Sequence, residues 1–216
     1  MDWTYGSTLF VAMIISLTLH EAAHGLVARL GGNPTAYKQG LVTANPLPHM
    51  RRSPLMMVVV PLIMLWQTGG KMCIAAASAP IDSRWAVSFP RRAALMALAG
   101  PLTNVLLAAI SFAALYWIAR PDPDAPWQEI VRYVSIVFLR LNLLLALFNL
   151  LPLPPFDGAQ ILCGFFTPLA RLYGHIARLP LYWVASLAAA IYLIQAYYAP
   201  IRGAVEAWLP YSPLFR

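Results

Sequence analysis

The sequence predicts an all-α polytopic membrane protein with about five to six transmembrane or re-entrant helices. Of its 216 residues, 60% are hydrophobic and only 11% are charged, and the mean hydropathy is +0.65. That balance is far more apolar than in ordinary soluble domains. The apolar sequence also divides into runs of about 20 residues, the length that crosses a bilayer as a helix. No repeat or long polar stretch marks a second unit, so we expect one integral-membrane domain over residues 1–216.

The apolar runs that are long enough to span lie at residues 7–30, 93–119, 127–151 and 181–199. Residues 158–179 form a shorter and more interrupted candidate. The start of the chain carries Asp2 and no Lys or Arg before the first run, unlike the basic beginning of a cleaved signal peptide. We therefore expect the first run to remain in the mature protein.

Two segments after the first run have a less regular pattern. Residues 54–66 are apolar but short and contain Pro61, so we interpret them as a re-entrant or tilted half-helix. The alternative is that this helix continues through Gly69 and Gly70 and spans the membrane over residues 54–79. The Thr, Tyr and Val content of residues 35–45 is typical of a short β-strand.

The charges indicate an orientation in the cell membrane. The loop after the first run and the loop before residue 93 are basic, whereas the loop before residue 127 carries Asp122 and Asp124. The positive-inside rule makes the two basic loops cytoplasmic, which brings residues 20–24 and Asp157 near the cytoplasmic face. The formal net charge of +7 reflects these loops. We therefore expect contact with the lipid bilayer and no binding of nucleic acid.

The stretch SLTLHEAAHGLVARLGG, residues 16–32, places ionisable side chains in an apolar helix. Residues four apart share a helix face, so His20 and His24 can present ring nitrogens to one metal ion, with Glu21 about a quarter turn away. Ionisable residues at membrane depth are costly and mark functional sites. The spacing is that of metal-dependent hydrolases, and the alternative is a polar cluster that holds two helices together.

A third metal ligand is expected, because catalytic zinc usually takes three protein ligands and keeps one position for water. Leu30 stands where the extended histidine motif of some zinc proteases needs a third histidine. No Asp or Glu occurs between Glu21 and Asp82, which excludes a nearby downstream glutamate. The remaining candidates are His49, His175 and the later acidic residues.

Asp157 differs from the other acidic residues in its setting. In FNLLPLPPFDGAQIL a long apolar helix ends near Leu151, three prolines prevent regular helix, and a new helix begins near Asp157. A break of this kind at membrane depth is tolerated where it is buried or lines a water-filled cavity. Asp157 is thus a candidate metal ligand and also a candidate helix N-cap, two roles that are compatible.

Three motifs occur in this order: HEAAH at 20–24, AGPLTN at 99–104 and NLLPLPPFDG at 149–158. Together they resemble the site-2 protease family of intramembrane zinc metalloproteases, in particular its short bacterial and archaeal members without appended soluble domains. The resemblance covers about residues 16–163. It implies an endopeptidase that cuts transmembrane protein or peptide substrates, with a preference for Gly, Pro or Asn near the cut, where a substrate helix unwinds. Gating would come from the membrane helices, the loops or a partner, and that partner would be a regulatory membrane protein or a second copy in a homo-oligomer.

The resemblance also implies the site residues and the cofactor. One Zn²⁺ per chain would be bound by His20, His24 and Asp157. Glu21 would act as the general base on the attacking water, and Asn149 would assist at the scissile carbonyl. Two rival functions remain open: a membrane zinc-binding protein or transporter, and a non-catalytic relative that binds helices without cutting them.

Several polar or special residues have two or more interpretations. His49 ends GLVTANPLPH, where the short members commonly continue with an acidic residue, so His49 is either near the site or a loop histidine. Arg140 is a partner of a carboxylate, a cavity-lining residue or a contact of lipid headgroups. The Gly100-Pro101 pair is a kink, and Asn104 either lines a cavity or bonds across helices. The cysteines Cys73 and Cys163 are interpreted as small buried hydrophobic residues.

Overall fold

The computed structural model describes residues 3–118, 125–176 and 178–209, so Asp122 and Asp124 lie outside the described residues. The helices are α1 (Trp3–Leu30), α2 (Thr35–Lys38), α3 (Pro46–Arg52), a π-helical turn (Leu55–Val59), α4 (Val60–Gln67), α5 (Ser83–Ser88), α6 (Pro90–Trp117), α7 (Trp127–Asn149), α8 (Asp157–Phe165), α9 (Thr167–Ile176) and α10 (Pro180–Glu206). Within this part of the chain, four helices are long and apolar enough to cross a membrane, namely α1, α6, α7 and α10. The predicted all-α polytopic class is confirmed.

The two interrupted apolar segments form short helices. The helix over Leu55–Gln67 ends before the Thr68–Gly70 turn, and residues 71–82 have no regular secondary structure. At 1.5 Å per residue this helix is about 20 Å long, less than the hydrocarbon thickness of a bilayer. A continuous helix across residues 54–79 is therefore not formed. The candidate at 158–179 divides at Phe166 into α8 and α9.

The strand predicted at residues 35–45 is wrong. The segment begins with the helical turn α2, and the described residues contain no strand with which it could pair. Asn33 Oδ1 accepts hydrogen bonds from the backbone N–H of Thr35 at 3.1 Å and from its hydroxyl at 2.6 Å. These local bonds favour a turn over an extended backbone, whose polar groups need a neighbouring strand.

Helix α6 occupies the centre of the bundle and packs against α1, α7 and α8. Its buried face consists largely of small residues, which let helix backbones approach closely. They include Ala93, Ala94, Ala97, Gly100 and Ala108. This arrangement brings the middle of α1 and the beginning of α8 to the same stretch of α6.

Cys73 agrees with the sequence interpretation, since its side chain is buried in a core cluster with Leu9, Met13 and Leu141. Burial raises the pKa of the Cys73 thiol to about 11, so the thiol is neutral near pH 7 and is a poor metal ligand. Cys163 is half-buried, and both cysteines are free.

Arg140 has a carboxylate partner, which selects one of its three interpretations. Its Nε lies 2.7 Å from Oε1 of Glu206, a buried residue at the end of α10. The hydroxyl of Tyr198 donates to the Arg140 carbonyl at 3.0 Å. These polar contacts hold α10 against α7.

Arg140→Met is expected to destabilise the protein by about 2 kcal/mol, because it keeps the apolar stem but leaves the Glu206 carboxylate without this charged donor. For a chain of this size the thermal midpoint in detergent would fall by about 4–8 °C. Arg202→Met is the matched control, since Arg202 Nε is 4.0 Å from Glu206 Oε2 and its side chain is more exposed. Equal midpoint shifts in the two variants would contradict the assignment.

Candidate metal centre

Three side chains from α1 and α8 bring their ligand atoms to one point. Nε2 of His20 is 2.9 Å from Nε2 of His24, and Oδ2 of Asp157 is 3.2 Å and 3.3 Å from these two nitrogens. In a tetrahedral zinc site with bonds of 2.0–2.1 Å, neighbouring ligand atoms are about 3.3 Å apart. In the part of the chain that the structure describes, this is the one group of three or more His, Cys, Asp or Glu side chains with such spacing.

The surrounding contacts indicate that these atoms are electron-pair donors. Nδ1 of His24 lies 2.7 Å from the carbonyl oxygen of Met96, which only accepts, so in the neutral imidazole Nδ1 carries the proton and Nε2 is free. Oδ2 of Asp157 is buried and has no hydrogen-bond donor among the described residues. Lone pairs that face each other without a proton between them repel, and a cation bound among the three ligand atoms removes that repulsion. The residues present therefore fit a zinc ion.

Gly100 on α6 provides the space for this group. A Cβ atom at Gly100 would lie 2.4 Å from His24 Nε2 and 2.5 Å from His20 Nε2, closer than real Cβ atoms approach other heavy atoms. The Gly100-Pro101 pair does lie inside α6, as the kink interpretation requires. The structure adds a second reason for glycine, which is that any side chain at this position would occupy the space beside both imidazoles.

The predicted break before Asp157 is confirmed. Helix α7 ends at Asn149, and α8 begins at Asp157 after the prolines. The N-cap of α8 is Phe156, and no side chain caps the helix, so the capping interpretation of Asp157 is wrong. A Cβ on Gly158 would be 2.4 Å from the carbonyl oxygens of Leu150 and Leu151. The glycine thus allows α8 to pack against the end of α7.

A cavity of about 230 Å³ lies beside the convergent ligand atoms. Glu21 lines it, and the buried Oε2 of Glu21 has no hydrogen-bond partner among the described residues. Asn149 also lines it and donates one amide hydrogen to the carbonyl of Leu145 at 3.0 Å, which leaves a second amide hydrogen. Residues 77–79 of the irregular 71–82 segment form another wall.

Comparison with known proteins identifies relatives of this chain. "Putative zinc metalloprotease YwhC" of Bacillus subtilis is 34% identical to this chain over 184 residues, which cover 81% of this chain and 79% of that protein. The chain belongs to the site-2 protease family of zinc metalloproteases. The resemblance inferred from the three motifs is confirmed.

Two further relatives match this chain over shorter lengths. "Putative zinc metalloprotease Rip2" of Mycobacterium tuberculosis is 31% identical over 145 residues, 67% of this chain and 52% of that protein. "Putative zinc metalloprotease MJ0611" of Methanocaldococcus jannaschii is 44% identical over 73 residues, 34% of this chain and 35% of that protein. No family model matches the chain, and no solved structure does.

The other two histidines of this chain, His49 and His175, lie outside the convergent group. His49 is buried in α3 with Nε2 3.3 Å from the carbonyl oxygen of Thr43, and it does not line the cavity. His175 lies in α9, where Nδ1 is 2.8 Å from the carbonyl oxygen of Arg171. Among the candidates for a third ligand that lie within the described residues, Asp157 is the one that the structure brings to His20.

Sequence reasoning missed two polar neighbours of the group. Gln160 lines the cavity one turn after Asp157. Asn142 lies fully buried in α7 and bonds to Asn104 on α6 at 2.8 Å, and Asn104 bonds to His20 at 2.7 Å. The hydrogen-bonding interpretation of Asn104 is therefore correct. The signal for Asn142 in the sequence is an amide in the middle of an apolar span.

Proposed function

We propose that this chain is an intramembrane zinc endopeptidase that hydrolyses peptide bonds in or near the transmembrane segments of other membrane proteins, as in regulated intramembrane proteolysis. The observation that carries the proposal is the convergence of His20, His24 and Asp157 beside the carboxylate of Glu21. His20, Glu21 and His24 lie on α1, a helix long and apolar enough to cross a membrane. The names of the relatives support zinc and hydrolase chemistry.

Each side chain has one role in the proposed reaction. His20, His24 and Asp157 hold one Zn²⁺, which when bound lowers the pKa of a water molecule to about 7 and polarises a carbonyl. Glu21 accepts a proton from the attacking water and returns it to the leaving amine. Asn149 offers its second amide hydrogen to the oxygen that becomes negative during attack. The Oε2 of Glu21 supports its role, because no donor from the described residues occupies it.

The proposed setting is the cell membrane, which a single multi-pass domain crosses with its active site toward the cytoplasm. Basic residues support this orientation: Arg29 is in the last turn of α1, and Arg91 and Arg92 are in the first turn of α6. The proposed partners are transmembrane protein or peptide substrates in the lipid bilayer. A regulatory membrane partner or a second copy of the chain would control access, and nucleic acid has no part.

Glu21→Gln is expected to lower the rate of cleavage by at least about 100-fold, since it removes the proposed base and keeps the shape of the side chain. Detergent-purified parent and variant would be incubated with tagged single-span substrates carrying Gly, Pro or Asn within the span. Mass spectrometry should detect fragments that end within the transmembrane span for the parent protein and not for Glu21→Gln. Both proteins should retain zinc.

Glu129→Gln is the matched control, because Glu129 lies at the start of α7 and does not line the cavity. It should cleave like the parent protein. Unchanged cleavage by Glu21→Gln would overturn the assignment of the base. A parent protein that binds zinc and cuts none of these substrates would favour the zinc-binding rival.

A further inference from the structure

A line of buried hydrogen bonds leads away from His20. Nδ1 of His20 is 2.7 Å from Oδ1 of Asn104, and Nδ2 of Asn104 is 2.8 Å from Oδ1 of Asn142. Nδ2 of Asn142 donates in turn to Oγ of Ser16 at 2.9 Å. Asn104, Asn142 and Ser16 have no exposed surface, so water does not compete for these bonds. The line joins α1, α6 and α7 and ends on α1, one helical turn before His20.

The direction of these bonds is set at the far end of the line. Nδ2 of Asn142 also donates to the backbone carbonyl of Phe138 at 2.9 Å. A carbonyl only accepts, so the amide nitrogen of Asn142 must face Phe138, and its oxygen must face Asn104. Asn104 must then donate through its nitrogen, which turns its oxygen toward His20. Nδ1 of His20 therefore carries the proton.

We propose that Asn142 is a positioning residue that acts through Asn104 to hold His20 in the tautomer protonated at Nδ1. In this tautomer Nε2 of His20 has no proton and offers its lone pair to a metal ion at the convergent group. The inference therefore rests on the proposed zinc function. Without Asn142, the amide of Asn104 can turn by 180° and donate to Nδ1, which moves the ring proton to Nε2. His24 does not depend on Asn142, because the carbonyl of Met96 fixes its tautomer.

The first test measures zinc affinity by competition with a chelator. Asn142→Leu keeps the branched shape of the side chain and should weaken zinc binding by about 10–100-fold, the usual effect of removing an outer partner of a metal ligand. Ser16→Ala is the matched control, because it removes a buried contact of Asn142 and leaves the bond to Phe138. Its zinc affinity should stay within about three-fold of the parent value.

A second variant separates this role from a general packing role. In Asn104→Asp/Asn142→Leu the carboxylate at position 104 only accepts, so it selects the Nδ1-protonated ring of His20 without help from position 142. Zinc affinity should return to within about three-fold of the parent value. A packing role for Asn142 predicts that the double variant binds zinc no better than Asn142→Leu, and that result would overturn the proposal.

The tautomer can also be read directly in the metal-free parent protein. The chain has four histidines, so ¹⁵N spectra of the imidazole rings, assigned by single substitutions, are tractable. The proposal expects the proton of neutral His20 on Nδ1, and a proton on Nε2 would overturn it even if Asn142→Leu did not fold. A parent protein without zinc affinity would refute the proposed function, whereas these spectra decide the tautomer separately.

Discussion

Gly100→Ala is expected to abolish zinc binding and hydrolysis while the helical fold remains. The added Cβ would lie 2.4 Å from His24 Nε2 and 2.5 Å from His20 Nε2 and Cε1. Favourable contacts need about 3.5 Å, so the two imidazoles must move away from Gly100 by about 1 Å. A displacement of this size at a catalytic group is enough to reduce activity by at least about 100-fold.

Zinc per chain after gel filtration, circular dichroism and the cleavage rate would together measure this effect. Gly203→Ala is the control, because an added Cβ at Gly203 in α10 meets no atom of the described residues within 4 Å. It should retain zinc and activity. If Gly100→Ala bound zinc like the parent protein, the imidazoles would have space that the structure does not provide, and the position assigned to the ion would be wrong.

Asp157→Asn is expected to remove the proposed third ligand without weakening the fold. The substitution keeps the shape of the side chain but replaces the carboxylate with a neutral amide, and zinc affinity should fall at least about 100-fold. Because the side chain does not cap α8, helix stability should not decrease. The thermal midpoint of the metal-free variant should equal or exceed that of the metal-free parent, since an unsatisfied buried oxygen has been replaced.

Asp82→Ala is the informative control, because Asp82 is a capping carboxylate. It is the N-cap of α5, and its Oδ1 accepts from the backbone N–H of Arg84 at 2.8 Å. Because asparagine caps a helix nearly as well as aspartate, alanine is the substitution that removes the cap. Asp82→Ala should lower the free energy of unfolding by about 1 kcal/mol without changing zinc affinity. A stability loss in Asp157→Asn with zinc retained would give Asp157 the capping role that the structure denies it.

The approach of His20 to His24 is predictable from the sequence because covalent spacing determines it, whereas Asp157 is predicted from its setting at a helix break and from the resemblance of the three motifs. Histidines four apart share a helix face whatever surrounds the helix. The prolines before Asp157 end α7. The irregular backbone that follows has to be buried in the protein or line a water-filled cavity, because lipid cannot satisfy its polar groups. The reactive roles of these residues, of Glu21 and of Asn149 stay predictions that the experiments above address.

The strand at 35–45 and the partners of His20 show what the sequence leaves open. β-Propensity measures fit to a neighbouring strand, so the local bonds of Asn33 outweigh it where no neighbour exists. The bond between Asn104 and Asn142 depends on the relative rotation and depth of α6 and α7, which neither helix determines alone. The partner of Arg140 is 66 residues away, at the end of α10, for the same reason.

The size of the cavity has a consequence for inhibitor design. Its volume of about 230 Å³ is below the roughly 300–1,000 Å³ of sites that accept drug-sized molecules. A competitive inhibitor therefore has to be a small fragment with a metal-binding group. Its binding free energy per atom matters more than its total contact area. Because the proposed metal ligands are of kinds common to zinc enzymes, selectivity has to come from the wall formed by residues 77–79 and from Gln160.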